Sequence, residues 1–415
     1  MRVLVLCPHY EPDAAAPTGV VMTEIAERLI DRGHELHIVT SLPWYEHHRI
    51  EPQWAGRLWR REKTDWGSII RVHPFPTDKT NIPARALGFA GFTTMAALAA
   101  VLRRRRPDVV LTMSPPLTLG LAGWVAARLR RSVCVFNVQD IFPDVAIEVG
   151  AVTGPRLIRL LRRLESFVYR RADAVTVLST DLAENVVAKI GTQDPAKVRV
   201  IPNFVDTGRI TPAHRMTSYR AEIEAGDRPL VMYAGNLGFS QPLDLMIETA
   251  RRWAPRGDDL SDVRFVINGA GSERNRLEAL AADVESVSFV DLQPPERLPE
   301  VLASADVHLI LLREGLARSS VPSKLYSILA AGRPVFASID PGTEVTRVLA
   351  DNDCGRAVPP GDLDAFDTGL AELVRDQAGR AAMGERGRTF VETWVSPAGV
   401  ASAYEALFAE LAHQD

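Results

Sequence analysis

Short, nearly unbroken apolar runs alternate with longer helical patterns along this chain, and they do so in two separate series. The first series is "VLVLC" (Val3–Cys7), "ELHIVT" (Glu35–Thr40), "DVVLTM" (Asp108–Met113), "VCVFNV" (Val133–Val138), "AVTVLS" (Ala174–Ser179) and "KVRVIP" (Lys197–Pro202). The second is "PLVMYAG" (Pro229–Gly235), "VRFVING" (Val263–Gly269), "VSFVD" (Val287–Asp291), "VHLILL" (Val307–Leu312) and "PVFAS" (Pro334–Ser338). A strand with two apolar faces must be covered on both, and strands joined through helices run parallel. A polar, irregular stretch, roughly Asp206 to Arg228, divides the series. The pattern predicts two doubly wound α/β domains, 1–205 and 206–396, with a last helix, 397–413, packing back on the first.

Charge separates the same two segments. Residues 1–205 hold 27 Arg and Lys against 20 Asp and Glu, and the remainder holds 21 against 32. A basic first half and an acidic second half point to different partners, and the overall charge of −4 disfavours a nucleic-acid protein. The three cysteines, Cys7, Cys134 and Cys354, show neither zinc spacing nor a disulfide framework, which fits a reducing cytosol. The apolar run before Pro8 is too short for a signal peptide, so a cytoplasmic protein is expected.

In doubly wound sheets, ligands sit beyond the carboxyl ends of the strands, so two facing domains make a cleft. The loops at those ends carry the candidates. "YAGNLGFSQPLD" places Gly235 and Gly238 in a strand-to-helix turn, where glycine serves either the turn itself or the approach of backbone to an anion. "NGAGSE" repeats the arrangement with Gly269 and Gly271 but lacks the third glycine of a dinucleotide fingerprint. "REGLARSSVPSKLY" holds Lys324, the only lysine after Lys197, on the opening turn of a helix that Ser320 or Ser323 can cap. The helix dipole disfavours a cation there by about 0.3–1 kcal/mol, and an anionic ligand reverses the sign. Lys324 is therefore either a solvated lysine or, with Arg313 or Arg318, part of a pyrophosphate site.

Taken in order, "PHYEPD", "RGHELHIVT", "VQDIFPD", "VIPNFVD", "AGNLGFSQ", "NGAGSE", "ASADV", "VPSKLY…LAAGRPV", "CGRAVPPGD" and "MGERGR" span nearly the whole chain. On these motifs it resembles the family-4 retaining glycosyltransferases of the GT-B fold, in particular those of colanic-acid, capsule and O-antigen assembly. The resemblance implies two facing Rossmann-like domains with an interdomain cleft. The second would bind a nucleotide sugar, UDP- or GDP-linked, as substrate with no cofactor, and the first would bind the acceptor. It implies donor contacts at Gly235, Asn236, Gly238, Gln241, Gly269, Gly271, Leu292, Gln293, Arg313, Ser319, Ser320, Ser323, Lys324 and Ser327. Gln139 and Asp140 would face the sugar, and His9, Tyr10 and Gly19 would border the acceptor.

The chain departs from the family pattern at three places. Ser319 and Ser327 stand where many relatives carry two glutamates, and Asn236 and Gln241 where many carry an arginine and a lysine. Gln139 stands in place of a histidine, which makes Asp140 the stronger candidate at the reacting sugar. Phosphate charge must then be met elsewhere, and Lys324 is the replacement expected to act at the reacting phosphate. Transfer with retention and no protein nucleophile requires stabilising the leaving nucleotide, and no carboxylate or histidine cluster suggests a metal.

Residues 86–102, "ALGFAGFTTMAALAAVL", carry no charge and run into "RRRR". The stretch is either a core helix with a basic end or a monotopic surface for anionic lipid, helped by Trp44, Trp54, Trp59, Trp66, Arg57, Arg60 and Arg61. A lipid-linked glycan acceptor and a peripheral place on the inner membrane face follow from the resemblance. A nucleotide-sugar epimerase of the same fold and a non-catalytic nucleotide-sugar-binding protein are the alternatives.

Overall fold

In a computed structural model of the chain, residues 1–13, 17–45, 49–77, 82–103, 105–148, 150, 152–191, 197–316 and 324–412 are described. The chain divides into two units, Met1–Asn203 with Pro397–Asp415, and Phe204–Ser396.

The first unit is an eight-stranded sheet built from β1 (Arg2–Leu6), β2 (Glu35–Ser41), β3 (Trp59–Thr64), β4 (Gly67–Val72), β5 (Val109–Ser114), β6 (Val133–Val138), β7 (Ala174–Val177) and β8 (Val198–Val200). Its order is β3-β4-β2-β1-β5-β6-β7-β8, and only β3 runs antiparallel. β1, β5 and β6 are buried along almost their whole length, as expected for strands covered on both faces. The order reverses between β1 and β5, so the loops after these strands diverge and leave a crevice.

β3 and β4 were absent from the sequence reading. β3, "WRREKT", is an edge strand that exposes most of its side chains, so charge replaces the apolar signature of an inner strand. The helix Ile82–Val101 settles the choice left open for the uncharged stretch only in part. Phe92, Ala96 and Ala100 are buried and the helix packs on Thr118–Arg130, yet Leu87 and Leu98 face outward. No described helix is long and apolar enough to cross a membrane.

The helix Pro397–Ala412 belongs to this unit. It buries Val400, Tyr404, Leu407 and Phe408 and packs against the helix Pro17–Asp31. The Asn137 amide donates to the Tyr404 hydroxyl at 2.8 Å, and Arg32 and His34 meet Glu405. His34 is thus a structural residue.

The second unit is a wholly parallel sheet of β9 (Leu230–Ala234), β10 (Arg264–Asn268), β11 (Val287–Val290), β12 (Val307–Leu311), β13 (Val335–Ser338) and β14 (Gly355–Val358). The order is β11-β10-β9-β12-β13-β14, which puts the reversal between β9 and β12. One core packs Tyr233, Trp253, Phe265, Phe336 and Phe366 together, and another gathers around Leu325, Ile328 and Leu329. The loops after β9, β10, β11 and β12 carry candidate residues of this unit.

Candidate active site

The chain leaves β9 through Gly235, whose φ of +144° is open to glycine and strained for other residues. Its N–H donates to Asn268 O at 2.9 Å, and the Leu237 N–H donates to Ala270 O at 2.9 Å. These bonds lay the β9 loop against the β10 loop. The contact explains the second glycine pair. A Cβ on Gly269 would lie 1.9 Å from Gly235 O, and one on Gly271 would lie 2.2 Å from Leu237 O. Gly269 and Gly271 therefore present their Cα faces to neighbouring backbone, where no side chain fits.

Lys324 begins the helix Lys324–Ala330 and reaches across to this loop. Its ammonium stands 3.8 Å from the centroid of the Tyr233 ring, and a Cβ added to Gly235 would come within 2.8 Å of Nζ. Among the described residues no hydrogen bond or ion pair reaches that ammonium. Burial pulls it down from its ordinary 10.5 to about 7. Tyr233 was not singled out in the sequence. It supplies a ring face to the cation and donates its hydroxyl to Asn236 O at 2.7 Å, and burial keeps that hydroxyl protonated. An aromatic residue near the carboxyl end of the strand was the available signal.

The remaining polar groups of the loop are largely committed to it. Gln241 Oε1 accepts from the Gly238 N–H at 3.2 Å. Arg313 donates through Nε to Phe239 O and lays its guanidinium 4.4 Å from the Phe239 ring centroid. Arg313 thus braces the turn through Phe239. Gln293 donates to Asp291 O and accepts from Arg297, while Leu292 is exposed beside it. Arg274, also overlooked, bonds Gly269 O and pairs with Asp291 at 2.7 Å, linking the β10 and β11 loops. Ser327 lies on the helix, half-buried, and Arg318, Ser319, Ser320 and Ser323 fall outside the described residues.

In the first unit, the segments after β1, β2, β4, β5 and β6 and the helix Ile82–Val101 surround a cavity of about 440 Å³. His9, Trp44, Phe75, Phe89, Phe92 and Asp140 are among its walls. The His9 ring meets Asp13 Oδ2 at 2.7 Å through Nδ1 and stands edge-on to Tyr45, 5.0 Å between centroids. Asp13 is buried, and its carboxylate orients the imidazole. A Cβ on Gly19 would press on His9 Cβ and Asp13 O, each at 3.0 Å, so Gly19 lets the helix start close to this pair. Tyr10 is buried in the core.

Gln139 does not face this cavity. It is buried, its Nε2 donates to Asn137 Oδ1 at 2.7 Å, and its Oε1 accepts from Asn203 Nδ2 at 2.8 Å. Both ends of the amide are thus hydrogen-bonded within the fold. Gln139 fixes the loop that carries Asp140. Among the described residues no three His, Cys, Asp or Glu side chains group as metal ligands.

The two units match known domains in turn. Residues 18–203 match the glycosyl transferase 4-like domain, and residues 216–390 match the domain of glycosyl transferases group 1. The chain belongs to the family-4 GT-B glycosyltransferases. This glycosyltransferase is 25% identical, over 90% of its length and 92% of the relative's, to the putative colanic acid biosynthesis glycosyl transferase WcaI of Escherichia coli (strain K12). It is 29% identical to the GDP-mannose-dependent alpha-(1-6)-phosphatidylinositol monomannoside mannosyltransferase of Mycolicibacterium smegmatis, over 79% of this chain and 88% of that one. Its fold superposes on Anabaena Alr3699/HepE, solved in complex with UDP, with a TM-score of 0.71, 12% identity and coverage of 99% and 100% of the two chains.

Proposed function

We propose that this glycosyltransferase moves a sugar, with retention, from a UDP- or GDP-linked donor to a lipid-linked glycan in the synthesis of a cell-surface polysaccharide or glycolipid. The observation that carries the donor side is the Lys324 ammonium, held over Tyr233 and Gly235 with no acidic partner among the described residues. A half-neutralised cation beside a glycine turn is suited to a diphosphate, whose charge restores its proton and repays the cost of its burial. Relatives named for colanic acid assembly and for a phosphatidylinositol mannoside, and a fold neighbour holding UDP, support the substrate classes.

On the acceptor side, the aromatic cavity with Asp140 and with His9, oriented by Asp13, suits a sugar hydroxyl at its polar end. Asp140 acts at the reacting sugar, and the departing phosphate oxygen takes the acceptor proton. Lys324 stabilises the developing charge on that phosphate in place of a metal. Outward-facing Leu87 and Leu98 with neighbouring arginines suit a peripheral site on an anionic membrane.

The test is calorimetric titration with UDP and GDP. A charged hydrogen bond is worth about 1.5–3 kcal/mol, so Lys324→Ala should weaken the preferred nucleotide at least about tenfold. Unchanged affinity for both would remove Lys324 from the donor site.

A further inference from the structure

The first unit has a second cavity, about 540 Å³, lined by β2, β3 and β4 at one edge of its sheet. Glu35 opens β2, Gly67 and Ser68 open β4, and Lys63 and Thr64 close the antiparallel β3, so the cavity lies at the amino ends of the parallel strands. The alternation of β3 sends Trp59, Arg61 and Lys63 to one face, and that face lines the cavity. Arg103 and Arg105, beyond the end of the helix Ile82–Val101, complete it. Two basic clusters far apart in sequence thus meet around one hollow.

The charges there do not balance. Arg61, Lys63, Arg103 and Arg105 line the cavity with a single carboxylate, Glu35. Glu35 is already engaged by Arg105 at 3.2 Å and by His37 at 3.1 Å. Arg61 and Lys63 have no hydrogen bond or ion pair among the described residues. Arg103 bonds the Ser68 hydroxyl at 3.3 Å, and its Nε is buried without a partner. Burial and the neighbouring Arg61 pull the Arg103 guanidinium down to about 10, a direction that an anion would reverse. His37, pulled to about 4 chiefly by burial, is neutral at pH 7 and adds no charge. The rim is apolar and exposed: Trp59 at 57% and Leu102 at 69%, with Leu58 at 64% beside them.

We propose that this cavity is an oxyanion site that seats the phosphate of an anionic membrane lipid on Arg61, Lys63 and Arg103, with Trp59 and Leu102 entering the lipid interface. The lipid as the source of the phosphate rests on the peripheral-membrane reading above, whereas the oxyanion seat does not. The site shares no lining residue with the His9 and Asp140 cavity, so it would hold the enzyme at the membrane without taking part in transfer.

Vesicles of 30% phosphatidylglycerol in phosphatidylcholine, vesicles of phosphatidylcholine alone, and inorganic phosphate are the probes. The intact protein is compared with Arg61→Gln/Lys63→Gln, two exposed positions on an edge strand, and with Arg103→Gln. Arg156→Gln/Arg159→Gln, on the basic helix Pro155–Arg171, removes the same charge elsewhere. The wild type should pellet with the phosphatidylglycerol vesicles only. The cavity double variant should bind them at least about tenfold more weakly, with UDP affinity unchanged, and the control should change less than about threefold. Equal loss in cavity and control variants would mean diffuse attraction and would overturn the site. Inorganic phosphate binding that vanishes in the cavity variants, without vesicle binding by the wild type, would keep the oxyanion seat and remove the membrane reading. No response to either probe would overturn both.

Discussion

If Lys324 holds the donor as proposed, it ties affinity to pH. Its folded value near 7 lies below the ordinary 10.5, so the unfolded chain binds more protons between these values, and stability rises with pH across that window. The burial penalty is fully present below about pH 7 and gone above about pH 10. Lys324→Met should therefore raise the Tm of the ligand-free protein at pH 6.5 and leave it nearly unchanged at pH 10, measured by scanning calorimetry. The ligand shows the converse. Nucleotide diphosphate prefers the protonated lysine, so wild-type affinity should fall between pH 7 and 8.5, while Lys324→Met stays flat over that range. A flat wild-type profile would show that the ammonium is already charged in the empty site. The isolated lysine was visible in the sequence as a cation at a helix start, but Tyr233, which gives it its place, lies about ninety residues earlier and was not.

At the scale of elements, the β9 and β10 loops behave as one piece. Gly271→Ala would drive a Cβ to within about 2.2–2.7 Å of Leu237 backbone atoms, which must move. Backbone displacement of this kind costs about 2 kcal/mol or more, which is roughly 4–8 °C in Tm for a unit of this size. Nucleotide binding should weaken with it, because the displaced loop carries Gly235 and Asn236. Gly208→Ala, whose Cβ would meet only the Asp206 side chain at 3.3 Å, is the control and should cost far less. Alternating apolar runs made the inner strands readable, since a strand buried on both faces has little choice of residue. β3 escaped the same reading because its outer position lets it carry Arg60, Arg61, Glu62 and Lys63.

At the scale of the molecule, chain order and spatial order part at the carboxyl terminus. Pro397–Ala412 returns to the first unit and buries Tyr404 against Asn137 and Thr176. Removing residues 397–415 should lower the melting temperature of the first unit by many degrees, followed by circular dichroism, because it uncovers several large apolar side chains at about 1.5–3 kcal/mol each. Residues 204–396 form the second unit and should still bind the preferred nucleotide. Turnover by the whole enzyme should survive excess EDTA, since Lys324 is proposed to supply the charge that a divalent ion would bring. Activity lost in EDTA and restored by Mg²⁺ would contradict this.

The sequence determined the α/β class and the alternating strand order, because burial on both faces imposes apolar runs, and the order of its short motifs pointed to the family. It also marked Lys324, whose charge conflicts with its position on a helix. Tertiary structure alone decided which polar groups are spent inside the fold. Gln139, Arg313 and the Gly269–Gly271 pair read like ligand-binding residues, and the fold also sets each against a neighbour in another segment. It also brought Arg61 and Lys63 to Arg103, across a span of about forty residues. Local pattern records which face of an element is buried. What that face meets depends on contacts between segments distant in sequence, and these have no periodicity to read.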